Sequence, residues 1–493
     1  MNHIEEIGGT LMDNIVAHSL EKLYTDLINI DQKFLDSNLK DMDVYEKDLA
    51  TAFRRAVADH MQSMYNSIDE ALCKDICRDS QYSIQRHDTR TLLTVNGAIT
   101  FNHTLFRKRD DGSYHYLLDE WMGLDPHERL SCAAEAEVLK EAVKSSYSRA
   151  SKVLGEDAHI TKTAVMNKVH AIQTEIPFEK PKKKKCVEHL YIEADEDHIH
   201  KQDVSNHEKK KGCMIGKLLY LYEGCEEKYG RRELKHVFYL GGLYGGSTEN
   251  HRLWSRMQKY IETNYETRYL KTVYINGDCG AWIKAGVDDI DKGVMVMDKF
   301  HLMKYINKVA NQMLDDANEV KGSLWKALYK GKKKKFKKTL KAVRKCVKNP
   351  GVVDECEDYI LNNWDSAVRR MQDKNVYGCS AEGHVSHVYS DSMSSRPMGW
   401  CENGADAMCG LRCYVRDYGE DKIIDLVHYR RENKELKVAG AEEMTFKFER
   451  GYMNTLLHGQ HNSDRVYIEK MQATIPSVEI KKIVSIRTHL SGI

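Results

Sequence analysis

The chain has 493 residues, with 75 Lys and Arg against 74 Asp and Glu and a formal net charge of +1. That length excludes a single small core and points to several domains, and the near-neutral balance excludes a partner selected by whole-chain charge. Residues 1–10 are polar and acidic and no run reaches about 18 apolar residues, so neither a signal peptide nor a membrane-spanning helix is expected and the expected location is the cytoplasm.

In chain order, residues 1–85 read as a helical arm. Leu20, Leu23, Leu27 and Ile30 recur at three- and four-residue spacing, and proline is absent. Residues 86–130 change to a small antiparallel β region: runs at 91–97 and 98–106 meet at Asn96-Gly97, a strong hairpin signal, and Asp111-Gly112 turns into a third run at 114–118. Residues 131–175 return to helix in three pieces, 133–143, 147–154 and 160–172, with a break at Gly155 and Thr161 or Thr163 as cap. This is the outline of a helix-turn-helix, whose second helix would offer Thr161, Lys162, Thr163, Asn167 and Lys168 to a major groove. A helical hairpin that binds no DNA has the same outline. Residues 176–187, with two prolines and five lysines between Lys180 and Lys185, read as a linker.

From 188 to 415 the order of elements becomes diagnostic. Strands are expected at 188–195, 214–222 and 236–241, a helix at 248–264, a strand at 271–277, a short helix with Trp282 and Ile283, and a strand at 293–297. A helical, basic insertion follows over 300–378, in which residues 321–349 carry 13 Lys and Arg and no acid. A helix opened by Glu382 then resumes the pattern. Three leading strands followed by alternating helix and strand predict an α/β fold: a ribonuclease-H-like mixed sheet with a helical insertion, preceded by the helical, β-hairpin and helix-turn-helix region. Residues 416–493 form a C-terminal region without a readable role, with possible strands at 467–475 and 478–486.

Three carboxylates stand out by position. Asp195 ends the first strand-like run, Asp278 ends the fourth, and Glu382 sits on a late helix. Aspartates delivered by neighbouring strand ends and a glutamate from a helix can hold two divalent ions about 3.5–4 Å apart, which clamp a phosphoryl group for in-line displacement. A solvated surface charge is the ordinary fate of any one acid; the joint placement of three is what singles these out. Asp197 and Glu196 compete with Asp195. Glu402 competes with Glu382, but the preceding Arg396-Pro-Met-Gly-Trp400 stretch is read as poorly suited to start the expected helix. Asp298 either caps a helix while His301 packs, or both support the site. Arg396 is a phosphate-binding candidate and Trp400 either stacks on a base or packs. Lys332, Lys333, Lys334 and Lys335 in the insertion would hold DNA backbone without reading sequence. Thirteen cysteines lack any Cys-x-x-Cys pair, and Cys73/Cys77 and Cys409/Cys413 lie one helical turn apart, so reduced or buried thiols are expected instead of a zinc knuckle.

At these residues the chain resembles the ISLre-type bacterial insertion-sequence transposases. The matching text is Tyr191-Ile-Glu-Ala-Asp195, Gly277-Asp278 with Trp282-Ile283, Asp298-Lys-Phe-His-Leu302, Ser380-Ala-Glu-Gly-His-Val-Ser-His387 and Ser395-Arg-Pro-Met-Gly-Trp400, within a similarity running from about 85 to 415. The resemblance implies a DDE transposase akin to the Mutator-like group, with Asp195, Asp278 and Glu382 as the triad binding two Mg²⁺ (or Mn²⁺) ions. Asp298 and His301 match that group's acid-x-x-His element. It further implies double-stranded DNA as partner (terminal inverted repeats and target), a homo-oligomer on DNA and a bacterial cytoplasmic or nucleoid setting. Ser392 stands where a basic residue is expected. A transposase-derived DNA-binding protein without activity, a nuclease or resolvase of the same fold, and a helical scaffold are the competing expectations.

Overall fold

The computed structural model describes residues 2–155, 158–202, 212–395 and 398–432. The chain divides into a body, Met1–His428, and a C-terminal unit, Tyr429–Ile493, of which 429–432 are helical. Arg396 and the strands expected at 467–475 and 478–486 lie outside the described residues.

The arm is a hairpin of α1 (Asn2–Asp36) and α2 (Met42–Lys74). Its helices run antiparallel, because Lys33 pairs with Asp48 at 2.7 Å while Ser19 Oγ meets His60 Nδ1 at 3.3 Å. After α3 (Ile76–Gln81), β1 (Tyr82–Thr94) and β2 (Gly97–Lys108) form the expected hairpin, closed by Asn96 and by Gly97 at φ +121°. The third run is shorter than expected: β3 is Tyr114–His115 only, and Leu117 and Leu118 enter α4 (Leu117–Trp121), whose first turn carries Asp119 and Glu120 as a helix N-terminus favours. Leu92, Ile99, Phe101, Phe106 and Leu118 build this region's own core against the end of α2.

The three helical pieces appear as α5 (Cys132–Lys144), α6 (Tyr147–Ala150) and α7 (Lys162–Ala171). The middle piece is a single turn, shorter than the 147–154 expected. Ser131 and Thr161 cap α5 and α7 by accepting from the N–H groups of Ala134 and Ala164, each at 3.1 Å.

The central sheet collects β4 (His189–His200), β5 (Cys213–Tyr222), β8 (Phe238–Gly242), β9 (Thr272–Gly277) and β10 (Gly293–Met297) in the order β10-β9-β4-β5-β8. The β4–β5 and β5–β8 pairs are antiparallel; β4–β9 and β9–β10 are parallel. A small ribbon that the charge-rich sequence hid, β6 (Cys225–Lys228) with β7 (Arg231–Leu234), sits apart from this sheet. One face of the sheet, with Leu190, Ile192, Ala194, Val273 and Ile275, is buried against α8 (Gly246–Asn264) and the insertion. The short α9 (Ala281–Lys284) and α10 (Gly286–Asp289) join β9 to β10. The insertion is helical, as expected, in α11 (Lys299–Ala310), α12 (Ala317–Tyr329), α13 (Lys333–Arg344), α14 (Pro350–Asn362) and α15 (Trp364–Gln372). The opposite face is covered by α16 (Ala381–Val385), a π turn at Ser386–Ser390, α17 (Asp391–Met393) and α18 (Glu402–Tyr418). Among the described residues no helix is long and apolar enough to cross a membrane.

Candidate acidic site at the strand ends

Asp195 does not end its strand. β4 continues to His200, because Asp197, His198 and Ile199 keep pairing with Gly216, Ile215 and Met214 of β5. What stops near Asp195 is the parallel pairing with β9, whose last partners are Glu193 and Asn276. Two residues past those partners stand Asp195 and Asp278. β10 extends the row: Val296 pairs with Asn276, and the N–H of Asp298 donates to the carbonyl of Gly277 at 2.8 Å. The three aspartates therefore occupy one level across β4, β9 and β10, on the sheet face that carries Tyr191, Tyr274 and Val296.

The electrostatics agree with this register. The carboxyl of Asp195 is pushed up to about 6, first by burial and then by the charge of Asp278, although the N–H of Glu196 donates to it at 2.9 Å and His301 pulls the other way. Burial is the largest single influence on Asp298 and works against its charge, but the hydrogen bond from His301 Nδ1 at 3.1 Å, the backbone N–H groups of Phe300 and His301 and the charge of His301 together hold Asp298 below its ordinary range. His301 is raised in return, chiefly by that bond and further by the charges of Asp298, Asp278 and Asp195. Asp298 occupies the N-cap position of α11, and its side chain pairs with His301. Asp278 is held by its own turn: its Oδ1 accepts from Gly280 N–H at 2.7 Å, and the hydroxyl of Tyr359 in α14 donates to its carbonyl.

Glu382 is exposed on α16. The helix is anchored over β4 by Ser380, whose N–H donates to Glu193 Oε2 at 2.7 Å, and by Ala381, which packs with Tyr191 and Tyr220. Glu193 itself is fully buried and also accepts from the hydroxyls of Tyr220 and of Tyr222, the latter at 2.7 Å. Sequence reasoning passes over Glu193, Tyr220 and Tyr222. The available signal is an acid at an inward-facing position of a β run, which burial tolerates only with several donors. Glu402 stands elsewhere, for a different reason from the one expected. The stretch before it does start a helix, since Glu402 opens the 17-residue α18. That end lies beside α7, with Cys401 Sγ 3.5 Å from His170 Nε2 and Gly404 against the same ring.

Three carboxylates around one imidazole leave the site rich in negative charge, and oxygen donors of this kind suit a hard divalent cation. The residues present fit such an ion. Among the described residues, the His/Cys/Asp/Glu group whose donor atoms already lie within 4.8 Å of one another is a different one, Asp69, Cys73 and His87. Those three surround the Thr104 hydroxyl, which donates to Asp69 at 2.7 Å and meets His87 Nδ1 at 3.0 Å and Cys73 Sγ at 3.3 Å, so they form a hydrogen-bond hub.

The other anticipated residues divide. Lys162, Thr163 and Asn167 are exposed on α7, and Thr161 spends its hydroxyl on the cap. Lys168 does not join them: its ammonium is held by Glu128 at 2.7 Å and Glu135 at 3.2 Å, a packing role. Lys332, Lys333, Lys334 and Lys335 are exposed around the start of α13, while Phe336, Leu340 and Val343 bury its other side. Trp400 packs: its indole N–H donates to the carbonyl of Met393 at 3.1 Å and its ring meets Tyr147 edge-on. Ser392 lines a cavity of about 330 Å³ with Tyr147 and Trp400.

A family model described as "Uncharacterised protein family (UPF0236)" matches residues 37–427. A UPF0236 protein of Caldanaerobacter subterraneus subsp. tengcongensis is 31% identical over 443 residues, 87% of this chain and 91% of the relative. A second UPF0236 protein of that organism is 32% identical over 391 residues, 77% of this chain and 81% of the relative. The name of the first relative joins eleven locus labels, and that of a third, also 32% identical over 391 residues, joins four.

Proposed function

The chain belongs to the uncharacterised protein family UPF0236, and from that premise we propose that it is a DNA transposase with a ribonuclease-H-like catalytic domain. The observation that carries the proposal is the single level shared by Asp195, Asp278 and Asp298 across three neighbouring strands, with the helix that bears Glu382 tied to the first of them through Ser380 and Glu193. A mixed sheet with strands in the sequence order five-four-one-two-three, the second antiparallel to its neighbours, supports the ribonuclease-H reading. Relatives whose names join eleven and four locus labels within one organism fit a gene that spreads copies of itself.

In this reading Asp195, Asp278 and Glu382 would hold the metal ions, Mg²⁺ or Mn²⁺. When bound, two such ions supply Lewis acidity to the phosphoryl group and acidify the attacking water or 3′-hydroxyl. The chain's own residues do the rest. Asp195 would have to be ionised to serve as a ligand. His301 keeps Asp298 ionised beside the pair. Tyr359 fixes the backbone of Asp278. The lysines at 332–335 neutralise DNA backbone, and Lys162, Thr163 and Asn167 face a terminal repeat.

The test is a strand-transfer assay on duplexes ending in the element's terminal inverted repeats, with Mg²⁺ or Mn²⁺. The expected outcome is joined product from the native chain and none from Asp278→Asn, which should still bind the ends. Cleavage without joining would make the protein a nuclease or resolvase. End binding with no cleavage under either ion would make it an inactive derivative.

A further inference from the structure

Among the described residues, the arm has an apolar side with nothing packed on it. From residue 16 to 36, α1 has no buried residue, and the seam residues Leu23, Leu27, Ile30 and Phe34 stay half-buried even though they face α2. Leu20, Tyr24 and Ile28 on α1, and Phe53 and Val57 on α2, are between 44% and 67% exposed. At about 100° per residue, the α1 row lies roughly 90° round from its seam and the α2 pair roughly 100° round from its own. The helices run antiparallel, so these two rotations bring both sets to the same side of the hairpin. Ile28 then stands near Phe53 and Tyr24 near Val57, in keeping with the Lys22–Asp59 and Lys33–Asp48 pairings.

Helices of this length draw most of their stability from a packed face, and here the face is open. We infer that the α1/α2 hairpin is half of a helical bundle completed by the same hairpin of a second copy of this chain. Two helices of like spacing are what would turn the half-buried seam into a core. An apolar face meeting its own image about a two-fold axis closes the assembly without leaving a further sticky surface. The five exposed residues alone amount to roughly 500 Å² per copy, the larger part of the ~800 Å² each partner gives to a standard interface. The inference does not depend on the chemistry at the acidic site.

The experiment uses the full chain. Light scattering coupled to size exclusion, from about 1 to 50 μM, should give the mass of a dimer. The double substitution Leu20→Glu with Phe53→Glu should weaken self-association at least 100-fold and leave the far-ultraviolet circular dichroism of the body intact. Should that variant misfold, Tyr24→Cys decides: a short bis-maleimide should join two copies through it, beyond the level given by the native thiols. A monomer at every concentration overturns the inference, as would fill-in of the face by another segment of the same chain. So does a dimer that survives the two glutamates with no cross-link at position 24.

Discussion

The carboxylate of Glu193 accepts the backbone N–H of Ser380 at 2.7 Å, and so ties the strand that carries Asp195 to the helix that carries Glu382. The bond is one of several. Ser380 Oγ lies 3.3 Å from the same oxygen, and the hydroxyls of Tyr220 and Tyr222 complete the shell. Both tyrosines are held far above their ordinary range, by burial first and then by the charge of Glu193, so they remain donors at any physiological pH. Glu193→Gln keeps the shape but turns one acceptor into a donor facing donors. The expected cost is about 1–3 kcal/mol of stability, with strand transfer falling by more than tenfold because displaced groups lose their alignment. Thermal melting and the joining assay measure the two effects. Unchanged joining at full occupancy of metal would remove Glu193 from any positioning role.

On the proposed reading, Asp195 should make metal binding depend on pH. Its folded pKa is about 6 against an ordinary 3.8. Between those values the folded chain retains a proton that the unfolded chain has lost, so without metal this group's contribution to stability shrinks as pH rises from 3.8 and is gone above 6. An arriving cation must expel the same proton. The rise in Tm produced by millimolar Mg²⁺ should therefore be small at about pH 5 and full by about pH 7.5. Asp195→Asn should erase the rise at both. An equal Mg²⁺ effect at the two pH values would show that this carboxylate is not a ligand.

His384 works with the opposite sign. Its ring stacks on Tyr220 with centroids 4.1 Å apart, and its Nδ1 meets the Tyr239 hydroxyl at 2.8 Å. Burial, then the positive charges of Arg416 and His387, pull its pKa from 6.5 down to about 4. The unfolded chain takes up a proton near 6.5 that the folded chain refuses until about 4, so stability falls as pH drops through that window. His384→Phe should flatten this part of the acid limb of the Tm profile, with the native and variant curves running parallel above about pH 7. A variant whose acid limb stays as steep as the native one would place the loss elsewhere.

Two kinds of lysine should separate on DNA. Lys334, Lys337, Lys338 and Lys341 are exposed on α13 and, among the described ion pairs, have no carboxylate. Replacing all four by alanine should lower the slope of log affinity against log salt by roughly 3 and weaken binding to unrelated sequences equally. Lys168→Ala should leave the slope alone and lower Tm instead, since Lys168 answers Glu128 and the fully buried Glu135. Filter binding across a salt series, beside melting curves, distinguishes them.

Much of the sheet is legible in the sequence because its strands are buried β runs separated by turns, and because Asp278 and Asp298 truly close theirs. The level they share is not legible, since register is decided by pairing between segments some 80 residues apart and not by any local spacing. Asp195 misleads in a specific way. Its run looks finished because charged residues follow, yet Asp197 and Ile199 go on alternating against β5, where one-sided pairing suffices. Helices at the three expected places and the Thr161 cap are legible, but nothing in the sequence distinguishes a lysine reaching into solvent from Lys168, whose partners come from residues 128 and 135. Glu193 is hidden for the reason that makes it matter: inside a β run it reads as an interruption, and only the distant Ser380 and the tyrosines of β5 explain its presence.

The uneven lengths of β4 and β9 have a geometric outcome. Because the first strand travels on to His200 while its parallel neighbour halts at Gly277, the carboxyl end of the sheet is a ledge with one wall. The backbone edge of β4 opposite that ledge is already taken by β5, out to Cys213. On the proposed reading, DNA laid over Asp278 and Asp298 would meet the β4–β5 extension on one side of Asp195 and no strand on the other.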